Sequence, residues 1–440
     1  MGHPFLNDGV DLGDVILSLV MVVASFTICL IATMLMVWFE RKVVSRLQNR
    51  IGPNVAGPFG LLQTLADGIK LFFKEDIIPT RADRFVFQLA PYLSLIPAFL
   101  TFTLVPLAGD FSDGNNGSST IFGREFLWQV ADVPVGILFF LAMSSLGIYG
   151  ILLAGWSSGS KYPLLGSVRA SAQAISYEAA LGLSLAAVIL VSGSLSTSGI
   201  VGFQADGIWT WNVIVTGFVP FIVFVIAGTA ELNRPPFDLV EAEQELVGGF
   251  HTEYSSIRFA LFFLAEFMNT VTMGAIIVTL FFGGPAQIFD FPLIDFPNAW
   301  YIGLILFFIK LLFFLFMFVW FRATLPRIRY DQLMDLGWKV LIPLSLAWFL
   351  ILAGIRVARD GSIGIFDDSL GDLAAVLIVA IGIMIIGFAL LRKAVVNARQ
   401  DRLEAAGLTE VAVTADLTPQ PGATGAASST TPSSTTAGGH

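Results

Sequence analysis

Charge is scarce in this chain. Of its 440 residues only 13% are Asp, Glu, Lys or Arg, about half the share in ordinary soluble domains. With 55% hydrophobic residues, 40 of them Phe, and a mean hydropathy of +0.79, a soluble domain of usual composition is excluded and a polytopic membrane protein remains. Cysteine is nearly absent. Cys29 is the sole one, so no disulfide can form within the chain and no iron–sulfur cluster can be held by it. The histidines are His3, His251 and His440; none lies in the middle of an apolar run, which excludes the paired axial ligands of a membrane haem. No metal site is read. A formal charge of −9 argues against nucleic acid as a partner. Any redox carriers this chain works with are therefore expected in partner subunits.

What is present is a series of apolar runs. Nine of spanning length lie near 15–39, 85–107, 133–155, 172–193, 211–230, 259–283, 300–321, 338–355 and 371–391, each close to the length a bilayer requires. The first begins near Val15 and is read as a retained helix rather than a leader. If the amino terminus lies outside, twenty basic residues fall in inside loops and three outside, with Lys310 left within the seventh run. That asymmetry favours nine spans, amino terminus out and carboxyl terminus in. Tryptophans cluster at the predicted span ends, where interfacial rings belong. The expected fold is an all-α bundle over residues 1–395, followed by a low-complexity cytoplasmic tail, 396–440, rich in Thr, Ser, Ala, Gly and Pro.

The first inside loop carries an amphipathic stretch. It begins at Pro58 and runs about 16 residues, too short for a span. Leu62, Leu65, Ile69, Phe72 and Phe73 form one stripe; Gln63, Asp67, Lys70 and Lys74 form the other. Such a helix is expected to lie in the interface plane. A plain membrane anchor would look the same. Arg41, Lys42, Arg46 and Arg50 precede it, and anchoring on the inner side accounts for most of them.

The remaining charge concentrates between Ala230 and Phe267, AELNRPPFDLVEAEQELVGGFHTEYSSIRFALFFLAEF. Glu231, Asp238, Glu241, Glu243, Glu245, Glu253 and Glu266 face only Arg234 and Arg258 within the stretch. Carboxyls crowded at a low-dielectric boundary titrate nearer neutrality than in water. A solvated loop shares this composition, but the order of residues suggests more. Asp238 and Glu241 have capping-box spacing, Leu239, Ala242 and Leu246 share a face, and Gly248-Gly249 follow, predicting a short acidic loop helix. Glu178, Glu231 and Glu266 sit at comparable depth near the inner ends of three spans. A hydrogen bond between helices by a protonated Glu is one reading, and a proton path is the other. Lys310 is too central to reach the interface; an acid on another helix would suit it, and the sequence does not name one.

The run ELNRPPFDLVEAEQELVGGFHTEY closely resembles the loop between the fifth and sixth transmembrane helices in the H-subunit family of the proton-pumping NADH:quinone oxidoreductase, respiratory complex I, whose mitochondrial counterpart is NADH dehydrogenase subunit 1. ERKVVSRLQNRIGPNVAGPFGLLQTLADGIKLFFKE, Glu40 to Glu75, resembles that family's first cytoplasmic loop, and SAQAISYEAALGLS, Ser171 to Ser184, its fourth helix. The likeness spans roughly residues 15 to 355. It implies a membrane subunit, in the bacterial plasma membrane, that forms the access channel and part of the cavity for quinone, the substrate. Glu40, Arg41, Arg50, Phe59, Leu62, Asp67 and Phe250 would line that channel. Glu178, Glu231, Asp238, Glu241, Glu243, Glu245 and Glu266 would couple quinone reduction to proton translocation. NADH, FMN and iron–sulfur clusters would belong to partners, with hydrophilic subunits on the cytoplasmic side and small and antiporter-like subunits in the membrane. Two other readings share the bundle: a homologous subunit of a hydrogenase or formate-oxidising complex, and an independent ion transporter.

Overall fold

The computed structural model describes residues 12–111, 117–121, 124–239, 246–286, 300–360 and Gly382. The chain divides into a unit of residues 1–377 and one of 378–440; apart from Gly382 the second lies outside the described residues, as do the expected ninth span and the tail.

Seven described helices are long and apolar enough to cross a membrane. They belong to α1 (Leu12–Leu47), α3 (Arg84–Phe102), α4 (Gly136–Ser157), α5 (Lys161–Ser192), α9 (Ser256–Phe281), α10 (Trp300–Thr324) and the segment formed by α11 (Tyr330–Asp335), a π turn (Leu336–Leu341) and α12 (Ile342–Asp360). Between them lie α2 (Gln63–Phe72), α6 (Thr197–Phe203), α7 (Asn212–Val215) and α8 (Val219–Glu231). The long loop after α3 is not wholly irregular: β1 (Ser118–Ile121) and β2 (Arg124–Leu127) pair antiparallel there, a small departure from the all-α expectation. The outward side chains are apolar. Leu19, Val20 and Val23 of α1 and Ile309, Leu312 and Phe313 of α10 are exposed, the arrangement a hydrocarbon environment favours.

The fifth apolar run is not one helix. Gly217 and Phe218 both take positive φ, 81° and 62°, and separate α7 from α8. The 13 residues of α8 reach only about 20 Å at the usual rise, less than the bilayer core. The break is tolerated because buried side chains take over the backbone's hydrogen bonds. Trp348 Nε1 donates to the Thr216 carbonyl at 2.8 Å. Asn212 Nδ2 donates to Leu280 O at 2.8 Å. Gln204 Oε1 accepts from the Asn212 and Gly283 amides, each at 3.1 Å.

Packing runs α3 on α4, α4 on α5 and α5 on α8, with α9 against α3 and α1. Small residues allow close approach. A Cβ on Gly150 would stand 2.7 Å from Ser94 N of α3. One on Gly166 would stand 2.9 Å from the backbone of Gly249, so α5 can press against the turn that carries Phe250 and His251. The loops expected on one side do meet at one end. Ile77 N donates to Ser255 Oγ, Asp83 N to Ser157 O, and Tyr177 OH to Leu333 O. At the other end Gln129 joins Leu104 and Thr197.

Lys310 answers a question its position raised. Its ammonium donates to the carbonyls of Phe282 and Gly284 at 2.9 and 2.8 Å, just past the carboxyl end of α9, and lies 5.2 Å from the Trp211 ring centre. A cation there satisfies carbonyls the helix leaves open and complements its dipole. Lys310→Met strips both partners and should cost about 2 kcal/mol, read as a lower melting midpoint of the detergent-solubilised protein. An unchanged midpoint would show that the contact is dispensable.

Candidate functional site

Three helices bring acids toward one place. Glu178 lies on α5, Glu231 ends α8, and Glu266 lies on α9. Adjacent serines of α4 hold two of them: Ser144 donates to the Glu231 carboxylate and Ser145 to that of Glu178. A cavity of about 110 Å³ opens among α3, α4 and α9. Its wall includes Ser144, Glu231, Asn233, Phe250, His251 and Glu266. At that size it has room for a few waters. Glu231 and Glu266 thus share the cavity, and Glu178 is tied to its wall through the serine pair.

A second cluster was not foreseen. Arg234, with 2% exposure, is buried with Glu40, at 5%. Arg234 Nη1 bonds one oxygen of Glu40, and Arg322 bonds the other. The Nη2 atom of Arg234 stands 3.7 Å from Glu266 Oε1, and its guanidinium lies 4.5 Å over the Phe267 ring. A buried ion left unpaired costs several kcal/mol, so these partners are obligatory rather than decorative. The sequence reading set Arg234 against the acids of its own stretch and counted Arg322 only among the basic residues of the inside loops; neither was paired with Glu40. Arg234, one of two cations among seven acids and placed just before Pro235-Pro236, was the signal available.

Glu40 also borders a more open crevice with Arg41, Arg50 and Arg322. Arg50 Nε donates to Gln48 Oε1 at 2.7 Å. Asp67 joins through Arg41, whose Nη1 is 2.6 Å away. Partial burial works to raise the Asp67 pKa, yet the hydrogen bond and charge of Arg41, with Lys70, hold it below the usual carboxylate range. Phe250 stands apart from these residues, on the wall of the acid cavity, with its ring 5.2 Å from that of Phe262.

The amphipathic stretch differs from expectation. Pro58 opens a separate single turn, Pro58–Gly60, in which Phe59 has φ 56°; the helix proper is the ten residues of α2. The tight fold back at Gly60 leaves no room for a continuous helix. Trp38 Nε1 and Lys42 Nζ both donate to the Phe59 carbonyl, clamping the turn to α1. Phe59, Leu62, Leu65, Ile69 and Phe72 remain exposed. Asp238 also differs: it is buried and accepts from Arg327 Nη2 at 3.0 Å. The helix it was expected to cap, with Glu241, Glu243 and Glu245, lies outside the described residues.

His251 was not singled out by the sequence. Its ring centre lies 4.9 Å from that of Phe250 and 5.4 Å from that of Phe259. Burial pushes its pKa down to about 4, with Asp238 opposing. The unfolded imidazole takes up its proton near its ordinary value of 6.5, the folded one only near 4, so acidification between those values favours the unfolded chain. His251→Phe keeps the ring contacts and removes this proton uptake. Between about pH 7.5 and pH 5 the variant should lose less of its melting midpoint than the wild type; equal losses would exclude His251 as a contributor.

The sequence pattern of a family described as NADH dehydrogenase matches residues 19–353. Among relatives, the H subunit of the NADH-quinone oxidoreductase of Frankia casuarinae is 53% identical over 344 residues, covering 78% of this chain and 73% of the relative. That of Frankia alni, with the same name, is 53% identical over 337 residues, 76% and 72% of the two chains. With its apolar helices and this likeness along most of its length, the chain belongs to the NADH dehydrogenase family, among the multi-pass H subunits of respiratory complex I.

Proposed function

We propose that this chain forms the quinone-access channel and part of the quinone cavity of the complex, and that its buried carboxylates couple quinone reduction to proton translocation. The observation that carries this reading is the cavity wall shared by Glu231 and Glu266, tied to Glu178 by Ser144 and Ser145. Carboxyl groups gathered beside a small, mostly apolar-walled cavity inside an apolar bundle suit proton uptake and release.

The crevice lined by Glu40, Arg41, Arg50 and Arg322 suits the other half of the task. Quinone reduction takes two electrons and two protons, and charge that develops on the head group before protonation is stabilised by guanidinium groups. The exposed apolar stripe of α2, with the outward faces of Phe59 and Leu62, offers a path from bilayer to crevice for an isoprenoid tail. Electrons arrive from an iron–sulfur cluster in a neighbouring hydrophilic subunit, with NADH and FMN further away. The end of the bundle with the basic loops faces the cytoplasm on this reading. This chain contributes positioning, charge stabilisation and titratable groups.

Glu266→Gln and Glu178→Gln keep size and some hydrogen bonding but cannot ionise. In membrane vesicles each should lower quinone reduction and proton pumping by about tenfold or more, while NADH oxidation by an artificial acceptor, which draws electrons earlier, persists. Assembly is checked on a native gel in the same preparations. Variants that assemble and pump at the wild-type rate would make these acids structural and overturn the coupling role.

A further inference from the structure

The crevice and the acid cavity approach each other at Arg234. Glu40 lines the crevice and Glu266 lines the cavity. Arg234 lies between them, bonded to Glu40 through Nη1 and 3.7 Å from Glu266 through Nη2. That second distance exceeds hydrogen-bond reach, about 3.2 Å for N–H···O, so a shift well under about 1 Å would close it. The guanidinium rests over the Phe267 ring at 4.5 Å, a face that holds a cation without fixing its in-plane hydrogen bonds. Arg322 already occupies the other oxygen of Glu40. Arg234 can therefore lean toward Glu266 without leaving Glu40 as an uncompensated buried charge.

Arginine has a further property that matters at this spot. Its guanidinium does not give up its proton in proteins. A chain of carboxylates, serines or waters joining the crevice to the cavity would pass protons along with electrostatic influence. An arginine can pass the influence alone. Lysine differs: it is a point charge without the planar fork, and its proton is labile when buried.

We propose that Arg234 is a proton-tight electrostatic link between the crevice and the acid cavity, shifting its share of pairing between Glu40 and Glu266 as charge changes on either side, while no proton crosses through it. A negative charge appearing in the crevice draws Arg322 from Glu40 and tightens Arg234 on Glu40, which weakens its hold on Glu266. Ionisation of Glu266 draws Arg234 the other way. The two sites thus sense each other reciprocally, as any coupling between binding equilibria must. Arg234 acts here as a positioning residue. The inference rests on the role proposed above for Glu266.

The test uses the whole complex in inverted membrane vesicles, with Arg234→Lys and Glu266→Gln compared side by side. Artificial-acceptor activity, quinone reduction and protons moved per NADH are measured together. The Arg234→Lys complex should still reduce quinone but move fewer protons per NADH, by about twofold or more. An unchanged ratio, whether the rate falls or not, would overturn the link and leave Arg234 a structural pair. If Arg234→Lys does not assemble, Phe267→Leu removes the ring under the guanidinium and retains every charge. A fall in its ratio supports the proposal, and a wild-type ratio overturns it. Should Glu266→Gln pump normally, the coupling role of the cavity fails; should it fail to pump while Arg234→Lys keeps the wild-type ratio, only the link fails.

Discussion

A charge inside an apolar bundle must be compensated, and the Arg234–Glu40 pair is where this constraint shapes the fold most. Glu40 comes from the end of α1, Arg234 from the segment after α8, Glu266 from α9 and Arg322 from the end of α10. Four segments distant in sequence are therefore held to one point. Removing one member of such a group leaves a buried ion, which costs far more than any exposed pair is worth. The crevice and the cavity owe their proximity to this pairing. So does the path of the backbone from Leu232 to Leu239, which Gln173 Nε2 also holds by donating to the carbonyls of Ala230 and Phe237.

The opposite end is governed by the same rule applied to the backbone. Where α7 stops and α8 starts, and where α9 ends, amides and carbonyls would face hydrocarbon unmet. Gln204, Asn212, Trp348 and Lys310 meet them. Irregular backbone at membrane depth persists here because it is buried in protein. The far end, tied in this way, leaves the end with the acids and the arginines as the place where small shifts in charge can be felt.

Much of this was legible in the sequence, and the unread part has a common cause. Apolar runs marked the spans, because length and composition decide them. Like depth near span ends marked Glu178, Glu231 and Glu266. What was missed was pairing at long range. Helical spacing tells which residues share a face, but not which helix that face meets, so the partners of Glu40, Asp238 and Lys310 stayed hidden. The fifth run read as continuous because its length and mostly apolar composition outweighed the few interruptions, Asn212, Thr216, Gly217 and Pro220, that stand near the break. The stretch after Pro58 read as one helix because its apolar stripe continues across a turn that only the positive φ of Phe59 and Gly60 breaks. His251 was passed over since it lies in a loop, although its neighbours are aromatic and it is the sole histidine in the acidic stretch.

On the proposed coupling role, carboxyl groups beside the cavity change protonation when quinone is reduced. Infrared difference spectra between the oxidised and quinol-containing complex, recorded in light and heavy water, read this directly. A deuterium-sensitive change in the protonated-carboxyl stretching region, diminished in Glu231→Gln, is the expected result. A spectrum of that variant indistinguishable from the wild type would contradict it.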